Sequence, residues 1–293
     1  MRYVVAIIRS MRPVQWIKNF FVFAGLIFSQ EFFDIHKVLL SFASFAIFCL
    51  LASGVYIFND IVDLPADRQH PTKKFRPLPS GEIPVWLAAV FAIVFVGSGL
   101  LWAFDLDSGL GIVAATYILL QILYSFALKK LVIVDILVVA SGFLLRAAAG
   151  AVVIDVVISS WLLLCTSLLA LFLVTAKRRQ ELARIVSNNS NFTRDVLRNY
   201  SLPFLDELIL IEIASTITAY SLYVFSPETA ARFGTAYLGL SLPFVLYGLF
   251  RYLFLVKVMS KGESPEKLVV SDPPFIINLL LWILIIIVII YFK

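Results

Sequence analysis

The chain is poor in charge. Asp, Glu, Lys and Arg make up 15% of its 293 residues and 61% are hydrophobic, where soluble domains carry about 25% charged residues. That balance excludes an ordinary soluble domain. Histidine and cysteine are also scarce, at two residues each. Cys49 and Cys165 lie in apolar runs, where they read as small packing residues rather than as a disulfide. His36 and His70 stand apart, so no His/Cys cluster supports zinc chemistry. A Walker loop and a GxGxxG turn are missing too, which argues against ATP-driven transport and dinucleotide binding. The N-terminal MRYVVAIIRS has too short an apolar part, and no small-residue cleavage site, to be expected as a removable signal.

What is abundant is apolar runs of membrane length. A hydrocarbon core about 30 Å thick needs about 20 apolar residues per helix, and the pattern predicts an all-α integral membrane protein of nine spans. They fall at about 17–33, 38–59, 83–104, 109–128, 131–152, 159–176, 203–225, 234–257 and 274–292. No soluble segment interrupts them, so one transmembrane domain over 1–293 is expected. Twenty of the 24 basic residues fall in one alternating set of segments. They run from Arg2, Arg9, Arg12 and Lys18 through Arg68–Arg76, Lys129–Lys130 and Lys177–Arg198 to Arg251, Lys257, Lys261 and Lys267. Only Lys37, Arg232 and Lys293 fall on the other side, and Arg146 lies within a span. The positive-inside rule then puts the N-terminus in the cytoplasm and the C-terminus outside. The net charge of +5 reflects this bias and requires no nucleic acid.

The longer connections, about 60–82 and 177–202, carry the polar chemistry and are expected as the cytoplasmic catalytic loops. The first contains NDIVDLPADRQHPTKKFRPLPSG, residues 59–81. On a helix of about 100° per residue, positions 60, 63 and 67 share one face. Pro65 interrupts that helix, so Asp67 is expected to follow a break. Carboxylates at a helix C-terminus oppose the macrodipole by about 0.3–1 kcal/mol each. A solvated loop gains nothing from clustering them, whereas a divalent cation removes the penalty. Magnesium favours one or two protein carboxylates plus substrate phosphate oxygens, and Lys73, Lys74 and Arg76 supply donors to the same phosphates.

These residues carry a resemblance. Asn59, Asp60, Asp63 and Asp67 form NDxxDxxxD, followed by Lys74, Arg76-Pro77 and Ser80-Gly81, and the pattern resembles the first aspartate motif of the UbiA-type intramembrane prenyltransferases. The resemblance implies a nine-helix bundle around a lipid-open cavity, with polar loops after the second and sixth spans. It also implies that Asp60, Asp63 and Asp67, with Asn59, hold magnesium on a diphosphate leaving group. Localisation would be the inner membrane, multi-pass, with the active site facing the cytoplasm.

The second loop departs from that family's usual DxxxD. It reads TAKRRQEL over 175–182, with one acid, Glu181, among Lys177, Arg178 and Arg179. Bases in place of acids remove ligands for a second metal and add charge suited to another phosphate, although they are also ordinary positive-inside anchors. Together with RPVQWIKN (12–19), YSFALKK (124–130), VDILVVASGFLLRAAAG (134–150) and SDPP (271–274), this segment resembles the decaprenyl-phosphate phosphoribosyltransferase branch. That branch implies phosphoribosyl pyrophosphate as donor, a polyprenyl phosphate as acceptor and Mg2+ as cofactor. Lys18, Tyr124, Lys129, Lys177, Arg178 and Glu181 join the substrate-binding candidates on this ground. A homo-oligomer remains compatible with the chain. The competing reading is prenyl transfer from a prenyl diphosphate to an aromatic acceptor.

Two polar residues sit deep in spans. An isolated charge such as Arg146 costs about 2.5–3.5 kcal/mol there, so it needs either a structural partner or an acceptor phosphate. Asp135 shares its face but lies about 16 Å away along the helix. Glu212, with Ser215, Thr216, Ala219, Tyr220 and Tyr223, forms a stripe expected to face the protein interior.

Overall fold

The computed structural model describes residues 2–70, 72–157, 159–187, 195–259 and 271–292. Segments 188–194 and 260–270, with Arg194, Lys261, Lys267 and Lys293, lie outside the described residues. Every regular element described is helical. The main helices are α1 (Arg2–Met11), α2 (Ile35–Val62), α3 (Val85–Leu106), α4 (Ser108–Phe126), α5 (Val134–Val153), α6 (Ser160–Ser187), α7 (Leu202–Phe225), α8 (Leu242–Lys257) and α9 (Pro273–Tyr291).

Local chemistry explains where several of these start. Asp34, Asp107, Ser201 and Asp272 each accept a backbone N–H in the first turn of the helix that follows, at α2, α4, α7 and α9. Ion pairs tie the end of α2 to the end of α4 (Asp63–Lys129), α6 to the starts of α5 and α7 (Arg178–Asp135, Arg179–Asp206), and α8 to the starts of α7 and α9 (Lys257–Asp206, Arg251–Asp272).

Among the described residues, eight helices are long and apolar enough to cross a membrane. The first expected span, 17–33, is not among them. It is a 3-10 run over Pro13–Val22 followed by a short α-helix over Phe23–Ile27. At about 2.0 Å per residue the 3-10 run alone extends about 20 Å, so this thin segment covers much of a bilayer depth without forming a regular α-helical span. Its path depends on α5. A Cβ at Gly150 would lie 1.7 Å from the Val22 carbonyl oxygen, and one at Gly25 would lie 2.9 Å from the Ala151 backbone. Small residues along α5 thus let two backbones touch, which is how helices associate where lipid removes the hydrophobic drive.

The sixth span also departs from expectation. It continues past 176 to Ser187, so TAKRRQEL lies on a helix rather than in a loop. Residues 176–187 hold no glycine or proline and are rich in helix formers. Arg178 and Glu181 add an i,i+3 pair at 3.2 Å.

Candidate functional site

The three aspartates of the first motif stand where α2 ends. Asp60 lies in its last turn. Asp63 caps it, donating its N–H to the Asn59 carbonyl at 2.9 Å, and a short helix then restarts over Leu64–Gln69. Pro65 sits in the first turn of this second helix, where a missing N–H costs nothing. The expected break is therefore a pause, and Asp67 still reaches back, its N–H bonded to the Asp63 carbonyl at 2.8 Å. Asp60 and Asp67 are buried, while the Asp63 side chain is 42% exposed.

Basic side chains meet each carboxylate. Arg76 Nη1 lies between two of them, 3.0 Å from Asp60 Oδ1 and 2.7 Å from Asp67 Oδ2. Lys73 Nζ is 3.4 Å from Asp67 and Lys129 Nζ is 2.7 Å from Asp63. Arg12 donates to Asp60 Oδ1 from outside the motif. Burial lowers the Arg12 guanidinium from its ordinary value, opposed chiefly by the Asp60 charge. Asn59 Oδ1 accepts from Ser125 Oγ. Lys74 is exposed, its Nζ 5.1 Å from the Phe75 ring centroid. His70 Nδ1 accepts the N–H groups of Thr72 and Lys73 at 3.2 Å, shaping the turn that delivers Lys73.

The donor set suits magnesium in kind, since three carboxylates and an amide oxygen are hard ligands. Among the described residues no three acidic, His or Cys side chains are close enough to hold a metal as they stand. Magnesium sits about 2.0–2.1 Å from its oxygens, so the Asp60 and Asp67 oxygens would have to draw closer than Arg76 now holds them. In this arrangement a guanidinium nitrogen, Arg76 Nη1, lies between the Asp60 and Asp67 carboxylates.

The second polar segment is organised differently. Arg178 is 2% exposed and donates from all three nitrogens: Nε to Asp135 at 2.7 Å, Nη1 to Glu181 at 3.2 Å and Nη2 to the Tyr124 hydroxyl at 3.0 Å. Tyr200 donates its hydroxyl to Asp135 at 2.7 Å and accepts the Ile133 N–H at 2.6 Å. Burial and Asp135 push the Tyr200 phenol up. Arg179 and Lys257 share Asp206, at 2.9 and 3.0 Å.

Arg146 is likewise enclosed. It donates to Asn19 Oδ1 at 2.6 Å, the Gly142 carbonyl at 2.6 Å and the Tyr117 hydroxyl at 3.0 Å, with the Tyr117 ring 4.7 Å from its guanidinium carbon. Glu212 Oε1 accepts from Thr175 at 2.8 Å, while its buried Oε2 has no hydrogen-bond partner among the described residues. Lys18 is half-buried on the Pro13–Val22 run. Lys177 lies one residue before Arg178 on α6, also half-buried.

Arg12, Asn19, Tyr200 and Asp206 escaped the sequence reading. Each acts across more than 25 residues of chain, and only RPVQWIKN offered a signal for the first two.

Known proteins resemble this chain in sequence and in fold. The model of the UbiA prenyltransferase family matches residues 19–280. A decaprenyl-phosphate phosphoribosyltransferase of Mycolicibacterium smegmatis is 34% identical over 96% of this chain and 91% of its own length. Its counterpart in Mycobacterium tuberculosis is 32% identical over 96% and 92%. Among solved structures, a UbiA homolog from Archaeoglobus fulgidus bound to GPP and Mg2+ superposes with a TM-score of 0.70. It is 18% identical, and the match covers 97% of this chain and 99% of that one. At that identity it speaks to the fold. With a family match over most of its length and relatives above 30% identity across nearly all of it, the chain belongs to the UbiA prenyltransferase family.

Proposed function

We propose that the protein transfers 5-phosphoribose from phosphoribosyl pyrophosphate to a polyprenyl phosphate, with Mg2+ as cofactor, at the cytoplasmic face of the inner membrane. The observation that carries this reading is the motif cluster: three aspartates and four basic side chains converge at one end of a membrane bundle. The relatives named for this reaction match the chain almost end to end.

In this mechanism the C1–O bond of the donor breaks and its electron pair leaves with diphosphate. An oxygen of the lipid phosphate forms the new C1–O bond. The acceptor is already anionic and needs no general base. Asp60, Asp63 and Asp67, with Asn59, would hold magnesium, which when bound would supply charge neutralisation for the departing diphosphate. Lys73, Arg76, Lys129 and Lys177 bind phosphate oxygens as pre-placed cationic donors. Tyr124 and Glu181, both bonded to Arg178, border this group. Arg178 itself fits a bracing role better than a clamping one, because each of its nitrogens is already engaged. Arg146 likewise fits a brace between α4, α5 and the Pro13–Val22 run.

A second reading is prenyl transfer from a prenyl diphosphate to an aromatic acceptor, favoured by the prenyltransferase description of the family whose model matches residues 19–280. Incubating the purified protein with magnesium, labelled phosphoribosyl pyrophosphate and a polyprenyl phosphate distinguishes the two. A labelled lipid is expected. Absence of that product, alongside prenylation of 4-hydroxybenzoate from a prenyl diphosphate, would overturn the first reading. Asp60→Asn is expected to abolish turnover in a folded protein.

A further inference from the structure

Two arginines hold the buried carboxylates of the first motif, and one of them comes from 48 residues earlier in the chain. Arg12 follows α1 in a left-handed conformation, φ 53° and ψ 63°, which side chains with a Cβ adopt only when their surroundings enforce it. The surroundings here are specific. Gln15 donates its N–H to the Arg12 carbonyl at 2.8 Å, and Arg9 on α1 pairs with Glu82 at 2.9 Å, beyond the motif. The Arg12 guanidinium lies 5.2 Å from the Tyr56 ring centroid. Together these aim it at Asp60 Oδ1, the oxygen that Arg76 Nη1 also holds while reaching Asp67.

We propose that Arg12 and Arg76 form a latch that stands in for the divalent cation. They hold Asp60 and Asp67 while no metal is bound, and they transfer to the donor's diphosphate when it arrives with the metal. The latch rests on the metal-diphosphate reading above. A cation and two guanidinium groups repel one another at these distances, so they compete for the same carboxylate oxygen. Diphosphate oxygens offer the displaced arginines bidentate acceptors. Metal and diphosphate therefore bind cooperatively, and the coupling is reciprocal. Arg12 is on this account a positioning residue that opposes binding of the metal alone. An ordinary phosphate ligand would leave metal-alone binding unchanged, and a purely structural residue would weaken it.

The sign of one measurement separates these roles. Manganese(II) is titrated into the full-length purified protein and free ion is followed by electron paramagnetic resonance. Retention of labelled inorganic diphosphate is then measured at saturating manganese. Arg12→Gly, which relaxes the backbone as it removes the guanidinium, is expected to bind manganese alone about fivefold more tightly, the scale of one partly exposed ion pair. The same variant should retain diphosphate more weakly. Arg76→Gln should shift both quantities in the same directions, and it carries the test if Arg12→Gly fails to fold. Unchanged or weaker manganese binding in a folded variant overturns the latch. Failure of the wild-type protein to bind manganese, with or without diphosphate, overturns the metal reading as well.

Discussion

Arg178 and Asp135 form an ion pair with side chains 2% and 0% exposed, and its removal separates a brace from a phosphate clamp. Breaking a buried pair from one side costs about 3–5 kcal/mol, because the survivor is left charged and uncompensated. Asp135→Leu belongs near the lower end, about 3 kcal/mol, since Glu181 remains 3.2 Å from the guanidinium. Arg178→Met belongs higher, about 4 kcal/mol, because it strands a fully buried carboxylate with the Tyr200 hydroxyl. The double variant strands no fully buried charge, since Glu181, which also loses Arg178, keeps 23% of its side chain exposed. What it loses are chiefly the hydrogen bonds to Tyr124 and Tyr200, about 1 kcal/mol each. The double is thus expected near 2 kcal/mol, against about 7 kcal/mol for the summed singles.

Denaturant unfolding in detergent micelles, followed by tryptophan fluorescence, measures this cycle. A double variant as unstable as the sum of the singles would refute the coupling. Labelled-lipid formation supplies the second half of the test. If Arg178 braces Tyr124, Glu181 and α5, the double variant regains activity along with stability. Stability restored without activity would instead return Arg178 to the phosphate clamp.

The other predictions concern packing and the remaining ion pairs. Gly150→Ala should abolish correct folding, since its Cβ would lie 1.7 Å from a backbone oxygen that cannot rotate away; size-exclusion chromatography in detergent reads this. Arg146→Lys should destabilise by at least about 2 kcal/mol, because one ammonium cannot replace a fork that reaches three acceptors. Stability kept but the lipid-phosphate KM raised would mark it as an acceptor ligand. Arg251→Ala breaks an exposed bidentate pair with Asp272, at 3.0 and 2.9 Å, and should leave the unfolding midpoint nearly unchanged because solvent screens the pair. Any loss should shrink further in high salt.

Spans α2 to α9 were legible because lipid demands long apolar helices, and that demand is written in composition. The first motif was legible for a similar reason, as acids at a membrane edge oppose both the helix dipole and one another. Pro13–Val22 was not, because an apolar run does not reveal whether its neighbour admits an α-helix. The close approach at Gly150 is a property of α5. The helical extension through 187 was hidden by charge: a polar stretch reads as a loop until Asp135 and Asp206, from other helices, are seen to neutralise it. Arg12 was counted as a topological charge, and nothing local connects it to Asp60, 48 residues away.

That neutralisation changes what the basic second segment can contribute. Arg178 faces Asp135 and Glu181, and Arg179 shares Asp206 with Lys257. Four bases, counting Lys177, are set against three acids, so the segment does not create a strong field for a second phosphate. The first motif is balanced in the same way, with Arg12, Lys73, Arg76 and Lys129 against Asp60, Asp63 and Asp67. The difference is one of burial. Arg178 is 2% exposed, whereas Arg12, Lys73, Arg76 and Lys129 keep 23–31% of their side chains exposed. Discrimination between a ribosyl and a prenyl diphosphate would then come less from added positive charge on α6 than from the acids it lacks. With no second carboxylate cluster among the described residues, the proposed donor's phosphates would be held by the side chains around the first motif.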